Sequence, residues 1–153
     1  MNLMDIKKSD SRFFKMAKKE AEKSSFPRFH VGCVVVYKGH VIASAHNLKK
    51  EAPIQKKYNH YRRFNNCSAG PVKHSLHAEI AALKSIPYPI AQQLDWKRVK
   101  IYIYRIAIGL PQKKGFARPC AACRQCIADM GIRDMYYTTD TGYAYERIDM
   151  DND

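Results

Sequence analysis

The feature that most constrains the fold of this chain is a pair of short motifs separated by residues 80–118. The first motif is His77-Ala78-Glu79, and the second is Pro119-Cys120-Ala121-Ala122-Cys123. Each motif opens a predicted helix, and a predicted β-strand lies between the two helices. Cys120 and Cys123 share one face near a helix start, so that both can bind one metal ion. With His77 as the third ligand, both helices would be anchored on the same ion.

This ligand set is typical of a catalytic zinc site. One imidazole nitrogen and two thiolates leave the fourth tetrahedral position for water, whereas a closed structural site has four protein ligands. Glu79 lies two residues beyond His77, where its carboxylate would reach the water rather than the metal and could move protons. The alternative is a structural site with Cys126 or Cys67 as its fourth ligand. That alternative gives Glu79 no role.

Helical and alternating apolar patterns predict a single α/β domain over residues 1–153, with its core at about 10–149. The four-residue turn 139–142 separates the last two strands. These strands must be antiparallel, because a parallel pair needs a longer crossover. In chain order the predicted elements are a helix from Ser9 or Asp10 to Ser24, strands at 30–37 and 41–45, a helix at 77–86, a strand at 99–106, a helix at 119–130, and strands at 132–138 and 143–148.

Two segments follow no regular hydrophobic pattern, a basic insertion at about 48–75 and a basic loop at 109–118. A loop as long as the first is uncommon in a compact domain unless it is functional or partly helical. His60, Cys67 and His74 could form a second structural zinc site there, although their irregular spacing disfavours it. The basic and aromatic residues of the insertion include Lys49, Lys50, Lys56, Lys57, Arg62, Arg63, Tyr58, Tyr61 and Phe64.

The net charge of +13 indicates an anionic partner. It attracts the phosphates of small molecules and of nucleic acids alike, and it does not distinguish them. The odd number of cysteines, three of them within residues 120–126, argues against disulfides and for a reduced, metal-binding set. We expect a cytoplasmic protein with no membrane partner. No hydrophobic signal core opens the sequence, and no apolar run reaches the ~20 residues of a membrane-spanning helix.

From about Phe13 to Ile148 the chain resembles the zinc-dependent cytidine deaminase superfamily. This family includes cytidine and deoxycytidylate deaminases, tRNA adenosine deaminases and polynucleotide cytosine editors. The stretch His30-Val31-Gly32-Cys33-Val34 is similar to the family's first-strand PVGA, and residues 119–125 (PCAACRQ) are similar to the PCGACRQ of free-cytidine deaminases. The resemblance implies an α/β fold in which a mixed five-stranded sheet is packed with helices. The last two strands would be antiparallel, as in the branch with a C-terminal β-hairpin.

The resemblance also implies roles for single residues. Asn47, which ends Ser44-Ala45-His46-Asn47, takes the position of an asparagine that contacts the substrate sugar. The main chain around Ala78 would meet the base, and Arg124 would offset the charge of the zinc thiolates. Lys49, however, stands where free-cytidine deaminases carry an acid, and His77 stands where many small members use cysteine.

The expected function is hydrolytic deamination of cytosine to uracil in a free nucleoside or nucleotide (cytidine, deoxycytidine or dCMP), with Zn2+ as cofactor, in a homo-oligomer. Glu79 would protonate N3 of the base and then the departing amine. The alternative is a polynucleotide deaminase that acts on cytosine or adenine in single-stranded DNA or RNA and binds the strand on its basic insertion. A third possibility, a catalytically silent zinc-stabilised binding module, leaves the intact Glu79 unexplained.

Overall fold

A mixed β-sheet lies between two layers of helices in the computed structural model, which describes residues 2–4, 7–27, 29–62, 75–107 and 114–148. Its elements are β1 (Asn2–Met4), α1 (Lys8–Glu22), β2 (His30–Tyr37), β3 (His40–His46), β4 (Leu48–Glu51), α2 (Pro53–Asn59), β5 (Ser75–Leu76), α3 (Ala78–Lys84), α4 (Tyr88–Ala91), β6 (Val99–Ile106), β7 (Lys114–Gly115), α5 (Ala121–Met130), β8 (Asp134–Thr138) and β9 (Tyr143–Arg147). Single 3-10 turns occupy His60–Arg62 and Trp96–Arg98.

Five strands form the centre of the sheet, in the order β3-β2-β6-β8-β9. β6 and β8 run parallel, and the other neighbours in this series are antiparallel. The predicted mixed five-stranded sheet with an antiparallel final pair is therefore confirmed. Two short strands that the sequence did not reveal extend this sheet, since β1 pairs with β9 and β7 pairs with β6.

Alternation along β2 divides the core between the two faces of the sheet. Val34 and Val36 pack in a cluster with α1, whereas Cys33 and Val35 belong to the cluster that contains α3 and α5. Successive side chains of a strand point to opposite faces, and all four of these side chains are buried. Because helices cover both faces, the strand is apolar along its whole middle.

Helix α1 approaches the sheet closely at Gly32. A Cβ atom placed on Gly32 would lie 2.0 Å from the carbonyl oxygen of Ala17 and 2.4 Å from the main-chain nitrogen of Ala21. Ala17 and Ala21 are fully buried, and the predicted apolar stripe of α1 continues with the buried rings of Phe13 and Phe14. Small side chains on the helix and a missing side chain on the strand therefore set the distance between the two layers.

The start of α1 differs from the prediction that Ser9 or Asp10 caps it. The helix begins at Lys8, and its N-cap residue Lys7 makes no capping bond through its side chain. Asp10 is buried instead and accepts a hydrogen bond from the Tyr102 hydroxyl of β6. A tertiary partner uses the carboxylate that the local pattern assigned to the helix end, so the capping prediction was wrong.

The basic insertion contains regular structure where the described residues cover it. β4 pairs with β5, and α2 supplies the partly helical content that its length predicts. The insertion's remainder, 63–74, lies outside the described residues, and the predicted second zinc site falls there with Cys67 and His74. Residues 109–113 of the predicted loop also lie outside them, while Lys114–Gly115 form β7. No helix among the described residues is long and apolar enough to cross a membrane.

Replacing Gly32 with alanine tests the close approach of α1. The new methyl group would overlap main-chain atoms of the helix, and we expect the free energy of unfolding to fall by about 3 kcal/mol. Gly142→Ala is the matched control, because no heavy atom beyond its chain neighbours lies within 4 Å of a Cβ placed there. We expect a change of less than about 1 kcal/mol for the control. Urea denaturation measures both values, and equal stabilities would contradict the packing described.

Candidate active site

His77, Cys120 and Cys123 come together at the starts of two helices. His77 is the N-cap residue of α3, and Cys120 is the N-cap residue of α5, whose first turn carries Cys123. One ligand atom from each of these residues lies within 4.8 Å of the other two. Pro119, predicted as the first helical residue, precedes the N-cap instead. The two motifs that the sequence places far apart thus meet at one point.

The distances between the ligand atoms fit a tetrahedral zinc ion. Nδ1 of His77 lies 3.2 Å from Sγ of Cys123 and 3.7 Å from Sγ of Cys120. Tetrahedral ligands at ordinary Zn–S and Zn–N bond lengths are about 3.5–3.8 Å apart. Among the described residues Cys126 is not part of this group, and Cys67 lies outside them. The residues present therefore fit zinc through three protein ligands.

Hydrogen bonding within the group favours a thiolate at Cys120. Bonds from the Cys123 thiol and from His77 lower the pKa of Cys120 to about 3, whereas burial raises the pKa of Cys123. The Cys123 thiol thus donates a hydrogen bond to the Cys120 sulfur. A divalent cation displaces such a proton on binding, because coordinating thiols are deprotonated.

A buried glutamine that the sequence analysis missed holds His77 in place. Oε1 of Gln55 accepts a hydrogen bond from the main-chain nitrogen of His77 at 2.9 Å, and Nε2 of Gln55 donates to Oδ1 of Asn59 at 2.8 Å. Gln55 is fully buried. Its side-chain oxygen, carried by α2, accepts the hydrogen bond of a main-chain N–H at the start of α3 that has no partner within its own helix. The four-residue spacing of Gln55 and Asn59, which puts them on one helix face, is the signal that could have found this pair.

Glu79 lies in the first turn of α3, beside the ligand sulfur atoms, with 6% of its surface exposed. Burial raises the pKa of this carboxyl group, and the electrostatic influence of His77 lowers it again in part. A buried carboxyl group with a raised pKa is a stronger base than a solvated one, and once protonated it can pass the proton on. Glu79 therefore has the position and the chemistry of a proton carrier next to the ligand group.

A cavity of about 240 Å³ opens onto this group. His77, Glu79 and Cys120 form part of its wall, and Asn47 and Ala78 line it as well. The rest of its lining is apolar or basic and consists of Phe29, Val31, Arg62, Arg105, Phe116, Ala117 and Arg118. A larger cavity, of about 360 Å³, lies between α1, β3 and β4 and contains none of the three ligand residues. The smaller cavity is the candidate active site, because it holds the reactive groups.

Asn47 is nearly fully buried at the end of β3 and uses its side chain on the main chain of the preceding segment. Its Oδ1 accepts a hydrogen bond from the nitrogen of Val31 at 2.9 Å, and its Nδ2 donates to the carbonyl oxygen of Phe29 at 2.9 Å. Both partner residues line the same cavity. The residue predicted to contact the substrate sugar is thus also part of the framework of the cavity wall.

Arg124, predicted to offset the thiolate charge, follows Cys123 in α5. Its main-chain nitrogen donates to the carbonyl oxygen of Cys120 at 2.8 Å. Its half-buried guanidinium makes no hydrogen bond or ion pair with another described residue. The effect of its charge on the two thiolates stays a prediction.

One residue of the basic insertion, Arg62, reaches the site, with Nη1 3.5 Å from Nε2 of His77. The two aromatic residues before it differ in their surroundings. Tyr58 is buried and donates a hydrogen bond to Asp129 of α5, whereas Tyr61 is 41% exposed. The insertion therefore packs against α5 and also presents a basic and aromatic edge near the cavity.

Comparisons with known proteins agree with this geometry. A model of the cytidine and deoxycytidylate deaminase zinc-binding region matches residues 7–139. A crystal structure of a cytidine deaminase from Burkholderia pseudomallei aligns with a TM-score of 0.58 at 20% identity, over 90% of this chain and 91% of that chain. A dCMP deaminase from the cyanophage S-TIM5, in apo form, aligns with a TM-score of 0.53 at 21% identity, over 90% and 87% of the two chains. No curated protein matches the sequence. The two structural likenesses show a shared fold.

Cysteine replacements test the ligand group. We expect the purified protein to hold about one zinc ion per chain and Cys120→Ala to lose it, because two remaining ligands bind zinc too weakly. Cys126→Ala is the matched control on the same helix and should retain the ion. Elemental analysis after dialysis measures both. Zinc retained in Cys120→Ala, or lost in Cys126→Ala, would contradict the assignment.

Proposed function

The chain belongs to the cytidine and deoxycytidylate deaminase family, and from this premise we propose that it converts cytosine to uracil in a free nucleoside or nucleotide, with release of ammonia. As a member of that family it is a zinc-dependent hydrolytic deaminase. The proposal adds the base and the size of the substrate. One observation carries it, the buried Glu79 beside His77, Cys120 and Cys123 in the wall of a single small cavity.

In the proposed site His77, Cys120 and Cys123 hold the ion. A bound zinc ion would lower the pKa of a water molecule toward 7 and so supply the nucleophile for attack at C4 of the base. Glu79 would accept one proton of that water and deliver it to N3. Glu79 would then take the remaining proton from the new C4 hydroxyl group and deliver it to the amine, which leaves as ammonia. The buried position of Glu79 supports these transfers, because a raised pKa makes its carboxylate a stronger base toward the water than a solvated carboxylate would be.

Substrate contacts follow from the lining of the cavity. The main chain around Ala78 would meet the base. Asn47 would contact the sugar through the second N–H of its Nδ2, because a carboxamide nitrogen has two hydrogens and Phe29 accepts one of them. Arg124 would act through space on the charge of the thiolates. These three assignments rest on the family resemblance and on the position of Asn47 and Ala78 in the cavity wall.

Small substrates are favoured by the enclosure of the reactive groups. The cavity has a volume of about 240 Å³, below the roughly 300–1,000 Å³ usual for pockets that enclose drug-sized ligands. It therefore suits a single nucleoside or nucleotide better than several bases of a strand. The final β-hairpin and the Cys123-Arg124-Gln125 run also resemble enzymes of free cytidine.

A polynucleotide substrate is the second candidate, and exposed aromatic side chains favour it. Tyr61 and Phe116 are 41% and 42% exposed, Phe116 lines the cavity, and the exposed Lys56 and Lys57 lie in the same insertion as Tyr61. Aromatic platforms flanked by cations bind single-stranded nucleic acid through stacking and phosphate contacts. In this candidate the insertion would carry the strand on either side of the reacting base.

We place the protein in the cytoplasm as a single domain over residues 1–153. Thiolate ligands need reduced cysteines, and Cys33, Cys120, Cys123 and Cys126 are all free thiols, as in a reducing compartment. A homo-oligomeric assembly remains part of the proposal on the family resemblance alone.

An ammonia-release screen tests the substrate class. Zinc-loaded protein should release ammonia from cytidine, deoxycytidine or their 5′-monophosphates, and not from adenosine or from single-stranded oligonucleotides. The double variant Lys56→Glu, Lys57→Glu is the control for the basic insertion, and its rates on the small substrates should match the wild type. Ammonia from an oligonucleotide, with none from any free nucleoside or nucleotide, would overturn the proposal and favour the second candidate.

Replacing Glu79 with glutamine separates metal binding from proton transfer. The amide keeps the size of the side chain but cannot carry the proton, so we expect kcat to fall about 100- to 10,000-fold or more while zinc content and thermal stability stay near wild type. Glu22→Gln, on the exposed end of α1, is the control and should leave the rate unchanged. A near-normal rate in Glu79→Gln would assign the proton transfers to another group.

A further inference from the structure

Three arginine side chains line the active-site cavity, and they differ in their partners. Nε and Nη2 of Arg118 donate to the two carboxylate oxygens of Glu146 at 2.9 and 2.8 Å, and these bonds lower the pKa of Glu146 to about 2. That pair is neutral as a whole. Arg62 has its guanidinium next to the imidazole of His77. Arg105 makes no ion pair with an acidic group among the described residues.

The Arg105 guanidinium is held in place by packing instead of by charge. Its Cζ lies 4.9 Å from the centre of the Phe29 ring. The stem of the side chain runs past Gly115 of β7, where a Cβ atom would lie 3.1 Å from Cγ of Arg105. This cation–π contact with the ring leaves the N–H groups of the guanidinium able to bind elsewhere.

The main chain under Arg105 belongs to the centre of the sheet. Arg105 pairs with Val31 of β2 on one side and with Gly115 on the other, and its nitrogen donates to Oγ1 of Thr138 at 3.1 Å. Alternation along β6 puts Arg105 on the same face as the buried Ile103, which packs in the cluster that includes α3 and α5. The cation is thus fixed on the side of the sheet that carries His77 and Cys120.

A guanidinium that packs on an aromatic ring, with no acidic partner in the part of the chain that the structure describes, suits an oxyanion with two acceptors. Guanidinium binds phosphate through two parallel N–H···O bonds, and less motion has to be frozen when the side chain is already held. We propose that Arg105 binds the phosphate group of a nucleoside monophosphate in the cavity, so that the enzyme prefers the monophosphate over the nucleoside. This inference rests on the proposed deamination of a free cytosine compound for its choice of base.

Rates on two pairs of substrates test the inference. We expect the wild-type ratio of kcat/KM for cytidine or deoxycytidine 5′-monophosphate over the matching nucleoside to exceed about 10. In Arg105→Gln that ratio should fall about 10- to 100-fold, since hydrogen bonds to a charged group are lost. Arg105→Lys should keep part of the preference through its charge. Arg98→Gln, an exposed arginine outside the cavity, is the matched control and should leave the ratio unchanged.

A binding measurement keeps this test separate from the proposed function. Calorimetric titration of zinc-loaded Glu79→Gln protein with cytidine 5′-monophosphate should show affinity that the added Arg105→Gln replacement weakens about 10- to 100-fold. Equal effects of Arg105→Gln on monophosphate and nucleoside, or unchanged monophosphate affinity, would overturn the role of Arg105. Absence of ammonia from every cytosine compound would contradict the proposed function instead, and titration with adenosine 5′-monophosphate would then test Arg105 alone. Preference for an oligonucleotide over the monophosphate would also overturn the inference.

Discussion

The structure depends on the meeting of three ligand atoms from two separate helix starts. His77 ends the segment before α3, and Cys120 and Cys123 open α5, so each helix must point its N-terminus at the same place on one face of the sheet. The parallel pair β6 and β8 makes this possible, because α5 crosses between them on that face. Helix α1 covers the opposite face and contributes no residue to the ligand group. The residues of the candidate active site thus lie on one side of the sheet, whereas the core packs against both sides.

Three buried polar side chains, those of Asn47, Gln55 and Glu79, lie around the ligand group, and each has a partner. Gln55 bonds the start of α3, Asn47 bonds the segment before β2, and Glu79 lies against the ligand sulfur atoms. Burying such groups costs free energy unless their hydrogen bonds are satisfied. The hydrogen bonds of Gln55 and Asn47 offset that cost, and they also hold the wall of the cavity in place.

The periodicity of apolar residues predicted the central strands of the sheet well. Local sequence patterns failed where the role of a side chain depends on a partner far away in sequence. β2 and β6 have the predicted bounds, 30–37 and 99–106, because continuous or alternating apolar residues mark strands that helices cover. The ligand group was predictable since its residues carry their chemistry in type and spacing. Asp10 was assigned to a helix end because its partner, Tyr102, is remote in sequence. Gln55 is polar and therefore did not stand out in a search for buried apolar positions. β1 and β7 are too short to show the alternation of apolar and polar residues that marks a strand.

The amide of Asn47 has a consequence for how this position can vary. The side-chain oxygen accepts a hydrogen bond from Val31, and the side-chain nitrogen donates one to Phe29. This position therefore requires a side chain with an acceptor at one end and a donor at the other. Aspartate has the same shape but would set a carboxylate oxygen against the Phe29 carbonyl oxygen, and leucine would leave both main-chain groups unpaired. No other side chain has this size and this polarity. If Asn47 also contacts the sugar as proposed, a replacement at this position would disturb the cavity wall and substrate binding together.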